Sequence, residues 1–170
     1  MKKGPIIYLN GVTSSGKSSI AEALRQYMDF YYLSDDIFED HIADIPDYGA
    51  EGYWEKLAEA VFLMHRTAAL FSNHGKTVVI DSMLLELPAF SPHYERVLEI
   101  YKNYPLIMVD VYCPLEICRQ RNLLRADRDE FQSNEQAAVM ARNVRYDLHL
   151  DTSALTPEEC ARKIAAKLHK

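Results

Sequence analysis

Residues 10–19 read NGVTSSGKSS, and Gly11, Gly16, Lys17 and Ser18 fit the pattern G-x-x-x-x-G-K-[ST]. At average residue usage, these types meet at these offsets by accident in well under ~1% of chains of this size. The pattern acquires physical meaning from its flanks, because a phosphate-binding loop needs a buried strand before it and a helix after it. Both are legible. Pro5–Leu9 (PIIYL) is a short apolar run suited to a strand buried on both faces, and Ile20, Ala23, Leu24 and Tyr27 then recur at helical spacing. Gly11 and Gly16 permit a tight backbone path around an anion. The N–H groups between them converge on it, and the helix N-terminus adds partial positive charge. In such a loop Ser14, Ser15 and Ser19 complete the cradle, Lys17 reaches the β- and γ-phosphates of ATP, and the Ser18 hydroxyl ligates Mg²⁺. The bland alternative is a Gly/Ser turn feeding a helix.

The chain has 170 residues, 48% of them apolar, with a net charge of −6. That size suggests one domain over residues 1–170. No run of 18 apolar residues occurs, and the apolar stretch after the first two lysines is too short for a signal peptide. Three cysteines without metal-ligand spacing suit a reducing, cytoplasmic setting. The negative balance argues against general nucleic-acid binding. The charge is also uneven. Asp35–Glu59 holds nine acidic residues and one lysine, whereas Arg119–Arg145 holds six arginines and four acids.

Strand and helix patterns alternate along the whole chain. Phe30–Ser34, Lys76–Asp81, Pro105–Cys113 and Tyr146–Asp151 read as further strands. A long helical pattern runs from Trp54 to Ala69, with Gly75 placed as its stop. Pro114 is expected at the first position of another helix, Ser133–Gln136 (SNEQ) as a capping box, and Thr156–Glu159 (TPEE) as the start of the last helix. The class is α/β, with a central, mainly parallel five-stranded sheet flanked by helices. In such sheets ligands sit beyond the C-terminal strand ends, where Gly11, Asp35 and Asp81 all fall.

Asp81 ends a buried strand and occupies the position of a carboxylate that holds Mg²⁺ directly or through water, or else caps the next turn. Asp35 and Asp36 end the second strand. There a carboxylate either takes a proton from an acceptor hydroxyl or caps the helix that follows. Arg119, Arg121, Arg125 and Arg128 gather in or just after one helix, either as a lid over a transferring phosphoryl group or as a solvated face. The residues Asp151–Ser153 (DTS) either lie against the adenine or simply lead into the last helix.

The chain lacks an N/T-K-x-D guanine-reading motif, and its length suits a small kinase. From Gln26 to His65 there is no arginine and only Lys56, so an anionic acceptor would be repelled. The expected acceptor is a neutral or cationic small molecule with a free hydroxyl. Phe38, Tyr48, Tyr53, Trp54, Phe90 and Tyr94 are candidate pocket walls.

The stretches IIYLNGVTSSGKSSI, YLSDDIFED, VVIDSML and VDVYCPLEICRQRNLLRADR, with the late DTS, resemble the chloramphenicol phosphotransferase family of P-loop kinases. The resemblance implies a P-loop kinase fold with an arginine-rich lid. It implies transfer of the γ-phosphate of ATP to an alcohol, with antibiotic inactivation as one setting. By it, Asp35 is the base, Arg121, Arg125 and Arg128 are lid arginines, and Gly16, Lys17 and Ser18 hold ATP and Mg²⁺. Two other readings stay open: another metabolite or nucleotide-sugar kinase, and a nucleotide-binding switch protein with no acceptor.

Overall fold

A computed structural model describes residues 2–125 and 129–168. Five strands, β1 (Ile6–Asn10), β2 (Tyr31–Ser34), β3 (Val78–Ser82), β4 (Leu106–Tyr112) and β5 (Leu148–Asp151), form one parallel sheet in the order β2-β3-β1-β4-β5. From β1 the chain goes first to the edge strand β2, returns to fill the gap with β3, and then crosses to β4 and β5 on the other side, so the topological switch point lies at the C-terminal end of β1. The register makes the strand ends flush there. Leu9 and Ser34 both pair with Asp81, and Asn10 pairs with Ser82.

Every residue of β1 is buried, yet its side chains alternate between two cores. Ile7 and Leu9 pack with Val79, Val109 and Val111 under α1 (Lys17–Leu24) and α7 (Pro157–Leu168). Ile6 and Tyr8 pack with Val78 and Ile80 under α3 (Tyr53–Asn73) and α4 (His93–Tyr101). A short α2 (Asp35–Ile37) runs straight into a π-helical turn at Phe38–Ile42; α5 (Leu115–Leu123) and α6 (Gln132–Val139) follow β4.

Helix α3 stops where the sequence places its glycine. Gly75 has φ 73°, its N–H reaches Ser72 O, and Lys76 N–H reaches Phe71 O, so the end is a Schellman turn. The TPEE box is also formed: Thr156 N donates to Glu159 Oε2 at 2.9 Å and Glu159 N to Thr156 Oγ1 at 3.2 Å. The SNEQ box is not. Helix α6 already begins at Gln132, and Ser133 is buried, bonded to Asn122 Nδ2 at 3.1 Å. A buried amide thus claims the hydroxyl that exposed capping would have used. Pro114 precedes α5 as its cap, in an extended conformation, rather than occupying its first turn.

Beneath α3 and α4 two histidines are enclosed. His65 Nδ1 lies 2.9 Å from the Tyr101 hydroxyl, and His93 Nδ1 accepts from Leu85 N at 2.9 Å. Burial pushes His65 down to about 3 and His93 to about 4. In the unfolded chain these rings take up a proton below about pH 6.5. In the fold they stay neutral, so their stabilisation is complete above that pH and is lost as pH falls through the window. Acidification from pH 7 to pH 5 should cost roughly 2 kcal/mol of unfolding free energy for His65 alone. Denaturant titrations of the wild type and His65→Phe at the two pH values check this. The variant should lose less stability on acidification, and equal losses would show that His65 is not held neutral.

Candidate active site

The loop from Gly11 to Gly16 takes its shape from what surrounds it. A Cβ on Gly11 would sit 2.5 Å from Val111 O and 2.6 Å from Ser15 Oγ, so only glycine lets the chain pass β4. Ser14 and Gly16 both adopt positive φ, 57° and 106°, which turns the backbone inward before α1 begins. Lys17 Nζ folds across the loop, donating to Gly11 O at 2.7 Å and Val12 O at 3.1 Å. The Oγ atoms of Ser14 and Ser15 are buried with no partner among the described residues. Inward backbone, a helix N-terminus, a lysine and two orphaned hydroxyls are the donor set that a polyphosphate requires. Ser19 follows in the first turn of α1 and lines the same cleft.

Asp81 closes the loop from below. Its Oδ2 accepts from Ser18 Oγ at 2.8 Å and from the Tyr32 hydroxyl at 2.7 Å, and its Oδ1 lies 3.6 Å from Lys17 Nζ. One hydroxyl and one carboxylate beside a phosphate cradle suit Mg²⁺, which is held by few protein ligands plus phosphates and water. No cluster of three or more His, Cys, Asp or Glu residues is gathered for a metal among the described residues.

The second strand delivers Asp35 to the same edge. Ser34, rather than either aspartate, caps α2, its Oγ accepting from Ile37 N at 3.2 Å. Asp35 is thereby released from capping and turns toward β3. Its Oδ2 accepts from Ser82 Oγ at 2.7 Å and Met83 N at 3.3 Å, while the Tyr8 hydroxyl supports Ser82 at 3.1 Å. Its Oδ1 is buried without a partner among the described residues. Burial pushes the carboxyl up to about 7, against the pull of Ser82 and Met83 and with the help of the nearby Asp81 and Asp36. A carboxyl in that range, with one oxygen anchored and one uncommitted, is suited to accept a proton at neutral pH.

The arginines divide. Arg119 pairs with Glu130 and packs on the Phe131 ring. Arg121 donates to Ser14 O at 3.1 Å and to Thr152 Oγ1 and O at 3.1 and 2.9 Å. It ties the loop to the DTS turn, where Thr152 Oγ1 also reaches Ser15 O at 2.6 Å. Arg125 lines the cleft, and Arg128 lies outside the described residues. Sequence reasoning misses Ser82 and Tyr32 as contact residues, and it reaches Thr152 only as part of the DTS turn, not as a partner of Arg121 and Ser15. Ser82 directly follows Asp81 in a fully buried strand, which was the available signal.

Ser14, Lys17, Ser18, Asp35, Asp81, Arg121 and Arg125 all open on one cleft of about 1120 Å³. Of the expected walls, Tyr48, Tyr53, Trp54 and Phe90 line it. Phe38 does not, being packed in the core, and the Tyr94 hydroxyl instead accepts from Arg145 N. Removing the anchor of Asp35 should register directly. In Ser82→Ala, a carboxyl-carbon NMR titration should find Asp35 above its wild-type value near 7. An unchanged or lower value would mean that Ser82 does not stabilise the carboxylate.

The family model described as chloramphenicol phosphotransferase-like protein matches residues 4–169. A search of curated proteins returns no match. Among solved structures, the APS kinase of Mycobacterium tuberculosis in complex with AMPPNP and APS superposes with a TM-score of 0.72 at 19% identity, covering 100% of both chains. A tunicamycin resistance protein of Deinococcus radiodurans gives 0.65 at 17% identity, over 98% of this chain and 96% of that one. A gluconokinase of Sinorhizobium meliloti gives 0.62 at 16%, over 99% and 97%. No helix among the described residues is long and apolar enough to cross a membrane. With the fold of the P-loop kinases and a family match over nearly its whole length, the chain belongs to the chloramphenicol phosphotransferase-like family.

Proposed function

We propose that this protein is an ATP-dependent phosphotransferase acting on a hydroxyl of a neutral or cationic small molecule. The observation that carries the reading is Asp35. Its carboxyl is fixed through Oδ2 by Ser82 and Met83, holds Oδ1 uncommitted, and shares a cleft with the phosphate-binding loop. A binding protein without an acceptor has no use for such a group.

ATP is held on Gly11–Ser19, and Mg²⁺ beside Ser18 and Asp81 would offset phosphate charge. The acceptor hydroxyl gives its proton to Asp35 Oδ1 as its oxygen bonds to the γ-phosphorus. The bond from that phosphorus to the bridging oxygen breaks, and the leaving oxygen stays with ADP. Lys17 and the cleft arginines Arg121 and Arg125, with Arg128 assigned by the family resemblance alone, are the cations given to the phosphates. Arg121 does so from a fixed position, braced on Ser14 and Thr152, so that lid movement falls to Arg125 and Arg128. Positioning and electrostatics supply most of the acceleration in phosphoryl transfer. Drug inactivation is one setting for such an enzyme, and chloramphenicol belongs in any screen of hydroxylated acceptors.

Two substitutions separate the roles. Lys17→Ala should abolish both tight ATP binding and transfer, since the Lys17 ammonium lies across the loop that would hold the phosphates. Asp35→Asn should bind ATP normally and lose about 10²–10⁴-fold in transfer rate, the usual worth of a general base. ATP affinity and single-turnover transfer, measured side by side, check both. Near-normal transfer by Asp35→Asn would remove the base from the mechanism.

A further inference from the structure

Helix α6 sends one side chain to the phosphate-binding loop. Gln136, the last residue of the SNEQ stretch, is not spent on capping. Its Oε1 accepts from Thr13 N at 2.6 Å, across 123 residues of sequence. We infer that Gln136 is a further catalytic residue, whose amide N–H groups donate to the oxygens of the phosphoryl group as it passes from ATP to the acceptor. The inference deepens the kinase reading and rests on it for the destination of that group.

The bond to Thr13 decides which way the amide faces. A backbone N–H is a donor only, so the side-chain atom that meets it must be the carbonyl oxygen. The other branch of the amide plane is then Nε2, with two N–H donors. These have no partner among the described residues, and Gln136 lines the cleft together with Thr13, Ser14 and Lys17. That end of the cleft suits the terminal phosphates. Lys17 Nζ, the cation that would reach the β- and γ-phosphates, rests on Gly11 O and Val12 O, the two residues just before Thr13. An uncharged donor thus stands on the same part of the loop as the lysine.

The helix that carries Gln136 is fixed at both ends. Near its start, Asn122 Nδ2 donates to Ser133 Oγ at 3.1 Å. At its end the chain forms a short antiparallel bridge with the residues after β3, where Glu86 N donates to Val139 O and Ala141 N to Leu84 O, both at 2.7 Å. The same short segment, residues 82–86, anchors Asp35 through Ser82 Oγ and Met83 N. It also meets the end of β1, since Leu84 N donates to Asn10 Oδ1 at 2.9 Å, one residue before the loop. Donor, loop and base are therefore tied to one piece of backbone. Donors held in place before reaction stabilise developing charge without the cost of reorganising. Gln136 loses no proton in this role; it acts by hydrogen bonding alone.

A residue that merely braced the loop would use only its carbonyl oxygen, and this separates the two roles in a test. ADP and AMPPNP, which differ by the terminal phosphate, are compared by calorimetry on the full-length protein with Mg²⁺. Transfer of the γ-phosphate, to an acceptor or to water, is followed in single turnovers. Gln136→Ala should bind ADP within about twofold of the wild type but lose roughly tenfold or more in AMPPNP affinity and about 10²-fold in transfer rate, the usual worth of a donor to developing charge. Gln136→Glu restores an oxygen for Thr13 N and sets a carboxylate where the amide nitrogen was. It should lose more AMPPNP affinity and more transfer than Gln136→Ala. Equal weakening of ADP and AMPPNP in Gln136→Ala, or better transfer by Gln136→Glu than by Gln136→Ala, would assign the residue to bracing and overturn the inference. So would two variants that bind and react like the wild type. The kinase reading fails separately. A Gln136-dependent preference for AMPPNP in a protein that forms no phosphoester with any acceptor would leave the donor standing and contradict the acceptor. Phosphoester formation unchanged in both variants would do the reverse.

Discussion

The carboxylate of Asp81 holds the loop-bearing edge of the sheet together. At 8% exposure it receives the Ser18 hydroxyl from α1 and the Tyr32 hydroxyl from β2, with the Lys17 ammonium 3.6 Å away. The start of α1 and strand β2 are thereby joined at the end of β3. Removing one partner of such a buried pair typically costs about 3–5 kcal/mol, because the other charge is left without compensation. The same contacts keep Ser18 and Asp81 together where a hydrated cation would be needed. Fold and site thus share one interaction, made possible by the flush register of β1, β2 and β3.

Two aspartates at that edge have been given opposite surroundings. Asp81 faces an ammonium and two hydroxyls. Asp35, whose carboxyl accepts from a hydroxyl and a backbone N–H among the described residues, has that carboxyl buried and is pushed up to about 7. Neighbouring groups whose environments differ in this way are how a site assigns separate duties to like residues. The arrangement has an energetic consequence. A carboxyl raised in the fold is more favourable when protonated, so its contribution to stability falls as pH rises from about 3.8 through 7.

Much of this was legible in the chain. The loop pattern with its flanking strand and helix fixes the switch point, and the alternation of patterns gives the parallel sheet; the family resemblance holds over residues 4–169. Local signals succeeded where the chain is free to use them, as at Gly75 and the TPEE box. They failed where tertiary partners compete for the same atoms. Ser133 looks like a cap and is instead engaged by buried Asn122, and Ser34 takes the capping role that Asp35 or Asp36 would otherwise fill. Arg121 reads as a mobile arginine, yet three hydrogen bonds to Ser14 and Thr152 brace it. Those partners lie 107 and 31 residues away in sequence, beyond the reach of any local pattern. Phe38 is an aromatic side chain of the kind that walls a pocket, yet it opens the π-turn as that turn's one buried residue and packs in the core.

The account turns on Asp35 as a base whose ionisation is set by burial. The dependence of kcat/KM on pH reports the ionisation of essential groups in the free enzyme. For phosphate transfer to a working acceptor, kcat/KM should rise with pH through an apparent pKa near 7, and that limb should be absent from the residual activity of Asp35→Asn. A wild-type profile that is flat from about pH 5.5 to 8, or a limb that persists in Asp35→Asn, would contradict it.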